Sequence, residues 1–357
     1  MSGRVGDAVE LVRERVSREA RRGQRGIGLQ HIRPGLLELV QTVPAEELQG
    51  TLHAHRSGDL LFGRLRPAFR KLLRVEHAGV VSPEAWVLRV RPGHDTDYVL
   101  HRLAAPDVIA AAVASAKGSR MPRATWDAVA DHGVCWPVLD EQRRRARPLK
   151  ALDRARRADR EAVAAAVSLA QARLASAAGE ARPLGTVAQL QRRPAVVDPP
   201  AALPCVGVGD LDSADLSLER WGRAADARSR HDGLRRGDLL FARIRPRLRK
   251  VALAPVDGMV SPELLRLCAR DPAAQGILAL SLLDPGLAER AHRAATGTRM
   301  PRVHWSRLRE VPVWWPSDPD GRLAALCDAV CGLVLAATDR RRAAAELREQ
   351  LSQDLLL

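Results

Sequence analysis

Gly237-Asp238-Leu239-Leu240-Phe241-Ala242-Arg243-Ile244-Arg245-Pro246-Arg247-Leu248-Arg249-Lys250 decides how this chain is read, because it is written twice. Gly58-Asp59-Leu60-Leu61-Phe62-Gly63-Arg64-Leu65-Arg66-Pro67-Ala68-Phe69-Arg70-Lys71 is a near copy, 179 residues upstream (237 − 58). An offset this long is domain-sized, not a solenoid period. It holds along most of the 357 residues. Gly79-Val80-Val81-Ser82-Pro83-Glu84 returns as Gly258-Met259-Val260-Ser261-Pro262-Glu263. Gly118-Ser119-Arg120-Met121-Pro122-Arg123, followed by Trp126, returns as Gly297-Thr298-Arg299-Met300-Pro301-Arg302, followed by Trp305. Trp136-Pro137 matches Trp315-Pro316, and Gly28 matches Gly207.

The composition bounds what such a doubled unit does. A hydrophobic fraction of 46% is ordinary for globular domains. The formal net charge of +15 is not ordinary, and it points to an acidic partner, with nucleic acid first. All but four of the 57 basic residues are arginine, which also reflects codon usage in a GC-rich genome. Five cysteines form no CxxC pair; Cys327 and Cys331 stand at helical spacing with no histidine after them, so core packing is expected and not a metal site. No disulfide framework, no leader-like apolar segment and no run of about 18 apolar residues is visible, so a reducing, cytoplasmic, membrane-free setting is expected.

Along the chain, Val9, Val12, Val16 and Ala20 recur at three and four among arginines and predict a helix near the start. Gly26 to Ile32 predicts a short strand running into the Pro34-Gly35 turn. Gly58 to Pro67 is a strand signal, and the period of two sets Arg64 and Arg66 on one face around Leu65, as Arg243 and Arg245 stand around Ile244. Two readings of these arginines stand side by side: cations offered to a phosphate backbone, or partners of local carboxylates such as Asp59 and Asp238. A second strand region covers Val80 to Arg91, and a short helix covers Asp107 to Ala116. Gly118 to Trp126 is a glycine turn with an extended Met-Pro-Arg segment, since a residue before proline avoids the helical region.

After each Trp-Pro the composition shifts to alanine, arginine and glutamate. Val163, Val167, Ala170, Leu174 and Ala177 alternate steps of four and three, a coiled-coil seam; Pro148 suggests that this helix begins there. Leu323, Leu326, Val330, Leu333, Ala337, Ala344, Leu347 and Leu351 hold a second seam, interrupted where Arg340 falls on it. The two helices are each other's expected partners.

The ordered set of Gly-Asp-Leu-Leu-Phe-x-Arg-Ile/Leu-Arg-Pro, Val-Ser-Pro-Glu, Gly-x-Arg-Met-Pro-Arg-x-x-Trp and a long helix, present twice, resembles the specificity (S) subunit of type I restriction–modification systems over essentially the whole chain. The resemblance implies a mixed α/β fold with two repeated globular target-recognition domains. It implies that these are separated by a pair of long antiparallel coiled-coil helices with pseudo-two-fold symmetry. Carried onto this sequence, the recognition domains would be residues 1–140 and 180–319, and the helices residues 141–179 and 320–357. The implied protein is not an enzyme and needs no cofactor. It reads a bipartite site in double-stranded DNA and docks two DNA methyltransferase (M) subunits, and through them the restriction (R) subunit. The Glu141-Gln142 pair that opens such a helix has no counterpart at Asp320-Gly321.

Two other functions compete. Asp198-Pro199-Pro200-Ala201 is similar to the catalytic Asp-Pro-Pro-aromatic motif of DNA adenine methyltransferases, but alanine replaces the stacking ring and no glycine-rich cofactor loop precedes it. A non-specific nucleic-acid-binding scaffold would need only the basic charge and the coiled coil. The residues expected at DNA are Arg64, Arg66, Arg70, Lys71, Arg120 and Arg123 in the first half, and Arg243, Arg245, Arg249, Lys250, Arg299 and Arg302 in the second. Val40–Arg56 and Glu219–Arg235, where the halves diverge most, are the expected reading heads.

Overall fold

Leu60-Leu61-Phe62 and Leu239-Leu240-Phe241 are unbroken apolar runs, the pattern of a strand buried on both faces. In a computed structural model, which describes residues 2–227, 231–317 and 321–356, both become strands, Leu60–Gly63 and Leu239–Ala242, with every residue buried. Strand periodicity then divides each run between two cores. Leu60 and Phe62 join one cluster while Leu61 joins another; Leu239 and Phe241 are likewise separated from Leu240 and Ala242.

The chain forms two units, one of Met1–Arg157 with Ala344–Leu357, the other of Ala158–Ala343. In the first, Leu60–Gly63 is central to an antiparallel sheet ordered Val9–Val12, Ala85–Val90, Leu60–Gly63, Leu72–Arg74. A second sheet is ordered Arg15–Val16, Leu52–His55, Gly79–Val81, Arg25–Ile27, Val43–Pro44, with the Gly79–Val81 and Arg25–Ile27 strands parallel. Helices Thr96–Leu103 and Pro106–Ala114 cover the first sheet through Tyr98, Val99, Leu103, Val108 and Ala112.

The second unit has its own antiparallel sheet, ordered Ala188–Leu190, Leu264–Ala269, Leu239–Ala242, Val251–Leu253. Its other sheet is ordered Gly222–Arg223, Pro204–Val206, Gly258–Val260, Asp232–Leu234, and again contains one parallel pair. The first sheet keeps its strand order and register under a shift of 179, so that Val9 opposes Val90 and Ala188 opposes Ala269; the second sheet keeps four strands of the order but has no strand counterpart of the Arg15–Val16 edge among the described residues.

The long helices run Leu139–Ser176 and Gly321–Leu356. The first helix starts nine residues before Pro148, which lies inside it. An interior proline costs a helix about 3 kcal/mol. Burial of Ala146 and Leu149 in the first unit's core offsets this, and Pro148 itself faces solvent. Val163, Ala170 and Leu174 of the expected stripe are buried, in the same cluster as the second unit's sheet and short helices. On the second helix the seam is rotated: Leu333 and Leu347 are exposed, and the buried stripe is Cys327, Val330, Val334, Ala337 and then Arg341 and Arg348. Arginine is tolerated there because acceptors meet it. Arg341 donates to Glu219 Oε1 (2.9 Å), Asp159 Oδ2 (2.8 Å) and Ser217 Oγ (2.7 Å) in the second unit. Arg348 reaches the Gly35 carbonyl (2.9 Å) and Asp153 (3.4 Å) in the first. By length and composition the second helix also passes as apolar enough to cross a membrane, with an 18-residue window of mean hydropathy 1.6, where the sequence reading saw no such run.

Two further expectations are corrected. Val9 to Ala20 is not a helix: Val9–Val12 and Arg15–Val16 are strands, because Val9 to Val12 pair with Val87 to Val90 and that ladder outweighs a short apolar periodicity. Nor do Arg64 and Arg66 share a strand face, since the strand ends at Gly63 and Arg66 is left-handed, with φ 50°. The start of the second helix expected at Asp320 lies outside the described residues, as does the end of the second recognition domain at Pro319.

Candidate nucleic-acid interface

Where each central strand ends, the chain makes the same sharp device. Arg66 and Arg70 both adopt the left-handed conformation, φ 50°, on either side of a single 3-10 turn at Pro67–Phe69. Arg245 and Arg249, φ 48°, flank Pro246–Leu248 in the same way. A left-handed non-glycine residue costs about 1–2 kcal/mol, so each turn is held by its surroundings. In the first unit the holding segment is the Gly118–Arg123 loop. The Arg66 amide donates to the Pro122 carbonyl (2.7 Å), Leu65 bridges Arg123, and the Ala124 amide donates to the Arg64 carbonyl (2.9 Å). Arg123 closes the joint with two bonds to Glu84, 2.6 and 2.8 Å. Gly118 sits at φ 103°, a conformation that a side chain would strain.

The second unit repeats the joint. The Arg245 amide donates to the Pro301 carbonyl (2.8 Å), Ile244 bridges Arg302, and the Val303 amide donates to the Arg243 carbonyl (2.9 Å). Arg302 binds Glu263 (3.1 Å), and Gly297 has φ 95°.

This geometry sorts the twelve basic residues. Arg123 and Arg302 are committed to Glu84 and Glu263. Lys71 donates to the Leu29 carbonyl (2.7 Å) and Lys250 to the Val208 carbonyl (2.8 Å), both half-buried; burial pushes the Lys250 ammonium below its ordinary pKa. Arg64 lies half-buried over the Trp86 ring, 5.8 Å from its centre. In the second unit Leu265 stands where Trp86 would, and Arg243 turns instead to His304 (2.8 Å) and Glu263 (3.9 Å). Arg70 binds the Ala104 carbonyl (3.0 Å) and Glu349 (3.4 Å), while Arg249 is half-buried with no carboxylate partner among the described residues. Four remain: Arg66, Arg120, Arg245 and Arg299 are exposed, and among the described residues none is paired with a carboxylate. Arg66 Nη2 donates only to the Arg120 carbonyl (3.2 Å), tying the two loops together. Asp59 and Asp238, the alternative partners, are occupied by Arg89 and Arg193.

Along its whole length the chain is similar to solved type I specificity subunits. It matches the HsdS subunit from Thermoanaerobacter tengcongensis with 18% identity and a TM-score of 0.42, covering 100% of this chain and 96% of that one. It matches the S subunit of a type I restriction–modification system from M. genitalium with 10% identity and a TM-score of 0.49, covering 100% and 96%. A chain from a structure of the type I R-M system, described for its complex assembly and conformational transition, matches with 17% identity and a TM-score of 0.41, covering 99% and 97%. No protein-family model and no curated protein sequence matches.

Sequence reasoning passed over the apolar members of these loops. Met121 and Met300, each 45% exposed, stand beside Arg120 and Arg299; Phe69 (50%) and Leu248 (43%) are the last residues of the two 3-10 turns. Their recurrence at one offset was the available signal. The diverging stretch Val40–Arg56 supplies the strands Val43–Pro44 and Leu52–His55, and Glu219–Arg235 supplies Gly222–Arg223 and Asp232–Leu234, with residues 228–230 outside the described set.

Proposed function

We propose that this chain is a non-catalytic specificity subunit of the type I restriction–modification kind, which reads a bipartite site in double-stranded DNA and docks two methyltransferase subunits. The observation that carries the reading is the doubled joint. Each unit has the same strand-end turn, locked to the same Gly-x-Arg-Met-Pro-Arg loop, and each joint leaves at the surface two arginines with no carboxylate partner among the described residues. Donor-only groups with no carboxylate partner among the described residues suit a phosphate backbone, and +15 on the whole chain supplies the long-range attraction. The diverging strands beside a constant framework suit two half-sites of different sequence.

The long helices are read as an antiparallel coiled coil that sets the spacer between half-sites. Supporting this, Asp153 pairs with Arg348 and Asp159 with Arg341, so partners descend on one helix as they ascend on the other. A helix of 38 residues spans roughly 55 Å, about 16 base pairs of duplex. In the second unit these helices also expose apolar residues, Ala165, Leu169 and Ala172 on one and Ala329, Gly332 and Ala336 on the other, which suits a helical protein partner. The restriction subunit would join through the methyltransferases.

Co-expression with the cognate methyltransferase tests the assembly: one chain with two methyltransferase subunits is expected by native mass spectrometry. A complex that saturates at one to one would refute it.

A further inference from the structure

Each unit puts an apolar prong among its free arginines, and this pairing asks for a ligand. The chain has only four methionines and three phenylalanines. Of these few, Met121 and Met300 occupy equivalent positions at the surface, and Phe69 is exposed where the second unit has exposed Leu248. Single exposed apolar residues are ordinary, but among the described residues only these two pairs of exposed large apolar side chains recur at the repeat offset. The backbone beneath them is not loose: the Met121 loop is fixed through Arg123–Glu84 and the Pro122 carbonyl, and the Met300 loop through Arg302–Glu263 and the Pro301 carbonyl. The prongs are therefore presented on rigid mounts.

The prongs are alike in both units while the flanking strands diverge. A side chain that is the same at both half-sites cannot tell them apart, so its task does not depend on sequence. The cations beside it that have no carboxylate partner among the described residues, Arg66 and Arg120 in one unit and Arg245 and Arg299 in the other, only donate hydrogen bonds, which suits a ladder of phosphates. Apolar side chains between cations are also a means by which proteins unstack a base step and bend the duplex.

We infer that Met121 and Met300, each on a loop locked to the turn that carries Phe69 or Leu248, are DNA wedges: arginines beside each prong hold the phosphates while the methionine enters a base step and bends the DNA at each half-site. The inference rests on the DNA-reading function proposed above and adds a mode of contact to it. It also assigns a sequence-independent part of the affinity to residues that read no base.

The test uses the full chain in complex with its methyltransferase and a duplex carrying the target it selects, labelled with a dye pair at the two ends. Wild-type complex should shorten the end-to-end distance, corresponding to a bend of at least about 20° at each half-site. The double variant Met121→Ala/Met300→Ala should bind the same sequence roughly tenfold more weakly and leave the duplex straight. Met121→Leu/Met300→Leu should keep the bend, since both side chains can fill a wedge. All these side chains are exposed, so circular dichroism should match wild type. A wild-type complex that selects its two-part target yet leaves it straight overturns the wedge and leaves the function standing. A complex with no sequence selection overturns both. Alanine variants that bend DNA normally but lose the methyltransferase would show the prongs to be a protein-docking surface, which also overturns the inference.

Discussion

Arg341 offers the sharpest test of how the second unit is held together. Its guanidinium is 1% exposed and makes three bonds of 2.7 to 2.9 Å, to Ser217, Asp159 and Glu219. Asp159 also holds Arg340 (2.5 Å), and Glu219 and Asp215 hold Arg160 (2.7 and 3.6 Å), so Arg341 belongs to a network of alternating charges. Arg341→Met keeps much of the volume, removes one positive charge and leaves Asp159 and Glu219 each short of a buried cation partner. Breaking a buried pair from one side costs about 3–5 kcal/mol; the lower end applies because Arg340 and Arg160 remain. For a unit of this size each kcal/mol moves Tm by about 2–4 °C, so a drop of roughly 6–12 °C is expected in the transition that reports the second unit. Arg341→Lys should recover little, because one ammonium cannot serve three separated acceptors in the geometry of a planar fork. A Tm within 2 °C of wild type for Arg341→Met, by the scale just used, would show that the cluster is solvated and that the second helix is not anchored through it.

Three more expectations follow from particular residues. His101 is buried, and burial, reinforced by Arg348, pushes its pKa down to about 3, although Asp153 lies 3.4 Å from its Nε2. The unfolded chain takes up a proton near 6.5 that the folded chain refuses, so stability is full above pH 6.5 and falls as pH drops toward 3, by about 2 kcal/mol at pH 5; His101→Leu, which places the residue found at the equivalent Leu280, should flatten this stretch of the denaturation-against-pH curve, and an unchanged curve would refute it. Lys250→Met should lower stability by about 1–2 kcal/mol and leave the salt dependence of DNA binding alone, whereas Arg66→Ala with Arg245→Ala should reduce the slope of log affinity against log salt by roughly 1.8; the reverse pattern would mean that the lysine touches phosphate. Adding four residues to the first long helix should lengthen the preferred spacer by about 6 Å, one to two base pairs, read by methylation of targets whose spacer varies one base pair at a time; an unchanged preference at normal activity would leave the helices as docking surfaces alone.

The repeat makes most of the framework legible in the sequence. Leu60-Leu61-Phe62 and Leu239-Leu240-Phe241 are strands because nothing but a two-sided core accepts such runs, and the glycines at 118 and 297 marked the loops that lock onto them. Local periodicity failed where a tertiary partner chose otherwise. Val9 and Val12 fit a helical stripe, but pairing with the Ala85–Val90 strand decides their conformation. Pro148 reads as a helix start, yet Ala146 and Leu149 are buried on either side of it and carry the helix through. Arg341 and Arg348 could not be read as seam residues, because an arginine is buried only when distant acceptors such as Glu219 or the Gly35 carbonyl are brought to it. At the candidate interface, residue type named the cations but not their partners. Glu84 lies 39 residues from Arg123, so which arginines were free depended on the folded joint.

The central claim is that one chain reads two separate half-sites. It is tested most directly by selecting bound duplexes from a randomised library with the full chain in complex with its methyltransferase, and sequencing them. The account predicts two short clusters of specified bases separated by an unspecified spacer of fixed length. It also predicts that replacing Val40–Arg56 alters one cluster and leaves the other unchanged. A single continuous motif, or bound sequences no different from the starting library, would contradict it.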